Sequence, residues 1–379
     1  MRRKNGLVLF TVLALVFLLA APVSAATVNL PDDLTIDEAI AIAQANNRDS
    51  KKNVLEVEKS LKQLEDLGEA IYMTSYTSGE ISTATQTSVS TYQSSNIAYL
   101  SALRTRDRNR EQVEMNVISA YSTVLSSINQ LEQLELDLTD LDKREKVMQQ
   151  SKALGLVSEQ SLLNFYAAKE QYQKNYESAQ LNYDSAMAGL RGVLGITASQ
   201  KWEPVLVSQF LPDSYERKDL DAEISRGYDK SDTVWNAQAN LNLKESQYLW
   251  VLPNESSRIK RIDLDLAALT YEQAKDAVKT QIEQLYYSID ALETQIVINK
   301  MQLDQAENDL KLAQVRYNVG VIPLISVSGG DSLNSYQLAY NKAKLTLEAK
   351  RSSLANSKTQ FAYLTGQQVY KTDDWSDNQ

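Results

Sequence analysis

Leu154-Gly155-Leu156 and Val319-Gly320-Val321 are two apolar-glycine-apolar breaks, each set in a long stretch that otherwise reads as continuous helix. Both lie at one distance from a tyrosine: Tyr121 precedes Gly155 by 34 residues, and Tyr286 precedes Gly320 by 34. A serine stands six residues beyond each glycine, at Ser161 and Ser326. Self-similarity at this length marks a duplicated supersecondary unit. Two long helices joined by one tight break cannot bury an apolar stripe alone, so each unit needs its twin or other subunits. Glycine takes positive φ at no steric cost, so Gly155 and Gly320 are expected to be helix-ending turns.

Working outward, Leu34-Thr35-Ile36-Asp37-Glu38-Ala39-Ile40 opens the first unit. Thr35 suits an N-cap, Glu38 the third helical position of a capping box, and Ile36, Ala39, Ile40 and Ala43 one apolar stripe. The helical pattern runs on through Leu55, Val57, Leu61 and Leu64 to a Ser/Thr-rich segment at 74–94 that holds Gly79. A second pattern runs from Leu100 through Val117, Tyr121, Val124, Ile128 and Leu138 to Gly155, with spacings of three and four that mark an amphipathic helix or coiled-coil seam. A return helix with Leu162, Phe165, Tyr172, Tyr183 and Leu190 stops at Gly192 to Gly195. The second unit starts near Leu220 and Ile224, rises to Tyr248-Leu249-Trp250, turns at Pro253 to Ser257 and descends to Gly320; a last helix runs from Ser332 to about Tyr363. From Ile36 to Tyr121 is 85 residues and from Leu220 to Tyr286 is 66. The surplus of 19 places an insertion at 74–94. The expected organisation is a leader at 1–25, a first helical repeat at 26–200, a connector at 201–218, a second repeat at 219–366 and a polar tail at 367–379.

Composition narrows the function. Arg2, Arg3 and Lys4, an apolar run from Leu7 to Ala21 and Val23-Ser24-Ala25 read as a secretory signal cleaved before Ala26. Without the three basic residues of that leader, 36 Lys and Arg face 49 Asp and Glu, a net charge of −13. That excess argues against nucleic acid as a partner. The chain has no cysteine and no histidine, which removes thiol chemistry, imidazole acid-base work and the usual zinc ligand sets. No catalytic residue, metal or cofactor is implied. Twenty tyrosines against five phenylalanines suit half-wet packing seams better than a dry core.

The order of elements resembles the TolC-type outer-membrane efflux proteins. The residues that carry the resemblance are Leu34 to Ala39, Ser119-Ala120-Tyr121-Ser122-Thr123-Val124-Leu125, and Arg316-Tyr317-Asn318-Val319-Gly320-Val321, with the break at Gly155 and the closing Leu190 to Gly195. It covers nearly the whole mature chain. The resemblance implies an all-α protomer of two tandem long helical-hairpin repeats, three copies closing an α-barrel tunnel, exported to the cell envelope at the outer membrane or facing the periplasm. It also implies a periplasmic adaptor and an inner-membrane transporter as partners, meeting the tunnel-end turns Gly155, Leu156, Gly320 and Val321. Two departures stand out. A membrane strand needs about 9 to 11 residues of alternating polarity; the second unit offers only Tyr248 to Ile262 with Pro253 inside, and 74–94 lacks a lipid-facing apolar row. Little or no β-barrel is therefore expected. At the family's constriction Tyr317 is kept, Ile322 stands at the basic position, and Ser161, Ser326 and Gly329 stand at acidic ones, so this end should be less cation-selective and less charge-latched.

Competing readings accompany the sites. Tyr248, Trp250, Arg258, Lys260 and Arg261 suit a membrane-surface foot, or plain packing of helix ends. Carboxylates such as Asp331, Asp263 and Asp265 read as solvated faces or interhelical ion pairs. Against the trimeric conduit stand a coiled-coil envelope spacer or adhesive stalk, which would explain a missing barrel more directly, and a secreted helical enzyme, disfavoured by the lack of His and Cys.

Overall fold

The computed structural model describes residues 31–78, 83–196, 202, 204–207, 219–249 and 256–367, with side chains except at 72–78 and 83–86. The leader 1–25, most of the connector, Trp250 and the tail beyond Gln367 lie outside the described residues. The fold is all-α. Helix α1 is Ile36–Asn46, α2 Arg48–Ser78, α3 Thr83–Ala153, α4 Glu159–Val193, α5 Leu220–Lys230, α6 Asp232–Leu249, α7 Ser257–Asn318 and α8 Leu333–Thr365. Among the described residues the only strands are the two-residue pair β1 (Asp33–Leu34) and β2 (Val205–Leu206), joined in parallel with Leu34 opposite Leu206. No described helix is long and apolar enough to cross a membrane.

Local chemistry sets the helix boundaries. Thr35 caps α1 through the Glu38 N–H, and the Glu38 carboxylate returns a bond to the Thr35 N–H at 2.9 Å, completing the capping box. The helix that the periodicity carries straight through to Leu64 breaks at Asn47. Asn47 ends α1 with extended ψ and its Oδ1 accepts from the Ser50 N–H at 3.1 Å, so one residue closes a helix and caps the next. Ser231 repeats the device, ending α5 and accepting from the Val234 N–H at 3.2 Å. Both short helices have 11 residues.

The surplus of the first repeat is helix. α2 has 31 residues against 18 for α6, and α3 runs 38 residues from its start to Tyr121 against 29 from the start of α7 to Tyr286. α3 is 71 residues long, about 105 Å at 1.5 Å per residue. In this Ser/Thr-rich stretch hydroxyls fold back on the helix, Thr91 to the Thr87 carbonyl and Ser94 to that of Ser90.

α3 and α7 run through both tiers of the molecule. α4, α3, α8 and α7 pack in that order in the lower tier, and α2, α3, α6 and α7 in the upper one, so α8 and α6 link the repeats. Two apolar clusters sit at mid-height. One gathers Leu34, Ile36, Ala39, Val117, Ile118, Tyr121, Leu190 and Leu194; the other gathers Ile224, Val278, Ile282, Ile289 and Phe361 with Tyr286 packed against it. The two tyrosines of the repeat therefore serve the two cores. The Tyr121 hydroxyl lies 2.7 Å from the carbonyls of both Leu34 and Val207, tying α3 to the strand pair. Burial pushes its ionisation above the usual phenol range.

Candidate functional site

At the lower end of the molecule the two breaks form matching turns. After α3 the Gly155 N–H donates to the Lys152 carbonyl at 2.9 Å and the Leu156 N–H to that of Ser151 at 2.8 Å. After α7 the Gly320 N–H donates to Tyr317 at 2.9 Å and the Val321 N–H to Arg316 at 2.8 Å. These are two Schellman turns with φ of 74° and 75° at the glycines. Open space surrounds both glycines. The apolar flanks point outward: Leu154 and Leu156 are 75% exposed, Val319 68% and Val321 64%.

Each turn carries a cross-turn ion pair. Lys152 meets Glu159 across the first. Across the second, the Arg316 guanidinium binds Asp331 at 2.6 Å, and the Tyr336 hydroxyl donates to the same carboxylate at 2.7 Å. The Tyr336 and Arg316 bonds hold the Asp331 carboxyl below its usual range, and Asp331 pushes the Tyr336 phenol up. The sequence signals for this cluster are Arg316 just before the break and Asp331 just after Gly329-Gly330; the ion-pair reading of Asp331 is the one the geometry favours.

Beyond the glycines the turns diverge. α4 starts from its N-cap Ser158, three residues after Gly155, whereas α8 starts from Ser332, twelve after Gly320. The serines at equal spacing are consequently not equivalent: Ser161 lies in the first turn of α4, its Oγ 2.9 Å from that of Ser158, while Ser326 lies in a loop with its Oγ 3.0 Å from that of Ser328. The extra residues form a folded knob. The Leu333 and Asn334 N–H groups donate to Pro323 and Leu324, and Arg144 of α3 donates to the Val327 carbonyl at 3.2 Å while its guanidinium crowds Gly329. Ile322 is folded beneath the knob at 5% exposure, so its side chain presents no surface; Tyr317 stays partly exposed. Above the knob a polar seam joins α3 to α8, with Lys342 on Asp137 at 2.5 Å and Asn334 bonded to both Asp140 and Lys143. Lys169 joins α4 to α3 through Asp142 and Glu145.

The upper end holds the remaining candidates. Tyr248 and Leu249 close α6, the latter 79% exposed, and Arg258 and Arg261 are exposed at the start of α7. Lys260 is half-buried and reaches the Gln247 carbonyl at 3.5 Å. Among the described residues no group of three or more His, Cys, Asp or Glu could hold a metal.

No protein-family model matches the chain, and no curated protein matches it significantly. Solved structures do match. The outer-membrane channel OprN superposes with a TM-score of 0.62 at 11% identity, over 88% of this chain and 90% of that one. CmeC, an outer membrane channel of Campylobacter jejuni, gives 0.60 at 14% identity over 89% and 87%. The open state of the Neisseria gonorrhoeae MtrE outer membrane channel gives 0.60 at 13% identity over 88% and 89%. With its paired glycine turns, its duplicated 11-residue helices and its two continuous shafts, the chain carries the fold of the TolC-type outer-membrane channels.

Proposed function

We propose that three copies of this chain close a tube that serves as a passive conduit for efflux or export across the cell envelope. The observation that carries the reading is a helix layer with two unsatisfied edges. On α7, Tyr287, Val297, Met301, Leu312 and Val315 are exposed along the side away from α8; on α4, Leu163, Tyr166 and Leu181 are exposed. Such rows on opposite edges are complementary in a heterologous, head-to-tail ring, and a closed ring buries every edge. Four helices per tier from each of three copies would make a twelve-helix wall.

The exposed apolar residues of the paired turns lie at the end of the tube, where no neighbouring copy covers them. They are the docking surface for an energised transporter and its periplasmic adaptor, and the chain itself catalyses nothing. The test is the mass of mature protein, residues 26–379, by light scattering with and without mild detergent, followed by particle imaging. A trimer with an open lumen supports the conduit. An elongated monomer or dimer sinks it and leaves the envelope spacer or stalk as the account. Within a conduit, Leu156→Asp and Val321→Asp should abolish export while the trimer survives.

A further inference from the structure

From mid-height down, the helices of the lower tier carry their charge on one side. On α4, Gln160, Asn164, Gln171, Asn175 and Asn182 recur at steps of four and seven, while Glu170, Glu177, Asp184 and Arg191 recur every seven residues. Seven residues are almost two turns, so each row keeps one side of the helix, and at about 100° per residue the rows stand about 140° apart. α3 divides in the same way, with Asn116, Thr123 and Gln130 opposite Glu114 and Glu132. On α7, Gln281, Ser288, Gln295 and Gln302 stand opposite Glu283, Asp290, Asp304 and Lys311; on α8, Ala339, Thr346 and Ser353 stand opposite Lys344 and Glu348.

The charged rows share the side of the layer that bears the short helices. Glu114 accepts from Gln44 of α1 at 3.1 Å, and Lys275, on the charged side of α7, lies 5.4 Å from the ring centre of Tyr228 in α5. Arg191 donates to the Trp202 carbonyl near β2 at 3.3 Å. Burial and the Glu348 carboxylate of α8 push the Glu132 carboxyl of α3 up, so these two acids also lie on one side. The opposite face hydrogen-bonds without charge. Gln112 donates to Asn116 at 3.0 Å, Gln171 to Asn175 at 3.0 Å and Gln295 to Asn299 at 2.9 Å, each a glutamine to the asparagine four residues on. The charges nearest to this face are Lys350 and the cross-helix pairs of Lys342 with Asp137 and Lys169 with Glu145, and others return only toward the tip, at Asp309 and Lys152. A solvated helix face ordinarily mixes both kinds of polar residue, so composition alone does not explain the division.

In a ring, the side with α1 and α5 has to be the outer one. Twelve helices about 9–10 Å apart enclose a bore of about 25 Å, whereas the six short helices of three copies, each about 10 Å across, need about 30 Å when set side by side in a circle. They fit only outside, which leaves the uncharged face inside. A passage walled by one sign of charge focuses a field and sorts ions by it. Amides and hydroxyls hold water and impose no net field. We propose that the uncharged face lines the lower bore, so that the conduit passes hydrophilic cargo of either charge sign with little discrimination. The proposal rests on the conduit reading and names its cargo class. The acids behind the net charge of −10 then belong mainly to the outer wall.

The chain has no cysteine, so a single introduced thiol reports one position. The experiment labels Asn175→Cys and Ser353→Cys on the uncharged face, and Glu177→Cys and Lys344→Cys on the charged one, with the oligomer mass measured on the same samples. One reagent is a maleimide coupled to a folded protein wider than the bore; the others are small cationic and anionic methanethiosulfonates, their rates taken relative to the same variant unfolded in urea. In the ring, the bulky reagent should reach Glu177→Cys and Lys344→Cys and miss Asn175→Cys and Ser353→Cys, which the small reagents still modify. At these two positions the cation-to-anion rate ratio should stay within about two-fold of the unfolded chain, and adding Gln171→Glu with Asn182→Glu should raise it at Ser353→Cys on the order of ten-fold. A ring that takes the bulky reagent at Asn175→Cys or Ser353→Cys overturns the proposal and leaves the conduit standing. So does a strong cation or anion preference before the acids are added, or a ratio that they leave unchanged. Monomers that take the bulky reagent at all four positions refute the ring itself, and the bore with it.

Discussion

At the scale of single residues, the paired turns separate conformation from packing. A Cβ added at Gly155 or Gly320 would touch nothing, yet both φ values are positive. Gly155→Ala and Gly320→Ala should therefore each cost about 1–2 kcal/mol, nearly equally, in urea unfolding at fixed protein concentration. Tyr121→Phe should cost about 1–2 kcal/mol, because the Val207 carbonyl loses its Tyr121 donor while buried shape is kept. Glu114 tests the opposite sign. It is 8% exposed and accepts from Gln44 and Arg110, but burial outweighs these bonds and raises its carboxyl above the usual range. A raised carboxyl stabilises the fold below the unfolded-state pKa and loses that contribution as pH rises to the folded one. Glu114→Gln should thus be more stable than wild type at neutral pH, with the gain vanishing in acid. Much of this scale is legible in sequence: Thr35 with Glu38, and the two glycines, are local signals. Asn47 and Ser231 are harder to read, since each interrupts the helix at a single residue that is neither Gly nor Pro and the apolar period runs on across them.

At the scale of elements, Gly227 lets α5 approach α7 closely. A Cβ at Gly227 would stand 2.1 Å from Cδ1 of Ile282, a side chain with no exposed surface. Gly227→Ala should cost about 1–3 kcal/mol by overpacking, and shortening the same contact with Ile282→Val should recover part of it. The cation-rich side of α3 secures the neighbouring joint. Arg104 and Arg108 donate to the Asp229 and Lys230 carbonyls that end α5, and Arg108 also reaches the Tyr363 carbonyl near the end of α8. None of this was readable from spacing, because the partners lie more than 120 residues apart. The length of the first hairpin was readable only as a surplus. Ser and Thr are indifferent helix formers, and what holds 87–94 helical is its place between α2 and α6 rather than its propensity. The second turn misled for another reason: Gly329-Gly330 lets the chain fold a knob before α8 begins, so equal spacing does not mean equal position.

At the scale of the whole molecule, the exposed edge of α7 is the part on which the proposed ring depends. Tyr287 and Met301 are 61% and 58% exposed in the single chain. Tyr287→Lys with Met301→Lys should shift sedimentation from ring to monomer and leave the helical circular dichroism of each chain almost unchanged. A conduit subunit would lose export in the same variant. The strand pair has a different consequence, for the order in which the molecule is made. Residues 33 and 34 meet residues 205 and 206 across more than 170 residues of chain, so the opening strand stays unpaired until the whole first hairpin and the start of the connector are in place. Contacts of such separation close late. The first hairpin must hold its own shape in the interim, and a nascent chain halted before residue 205 should expose Tyr121 to solvent.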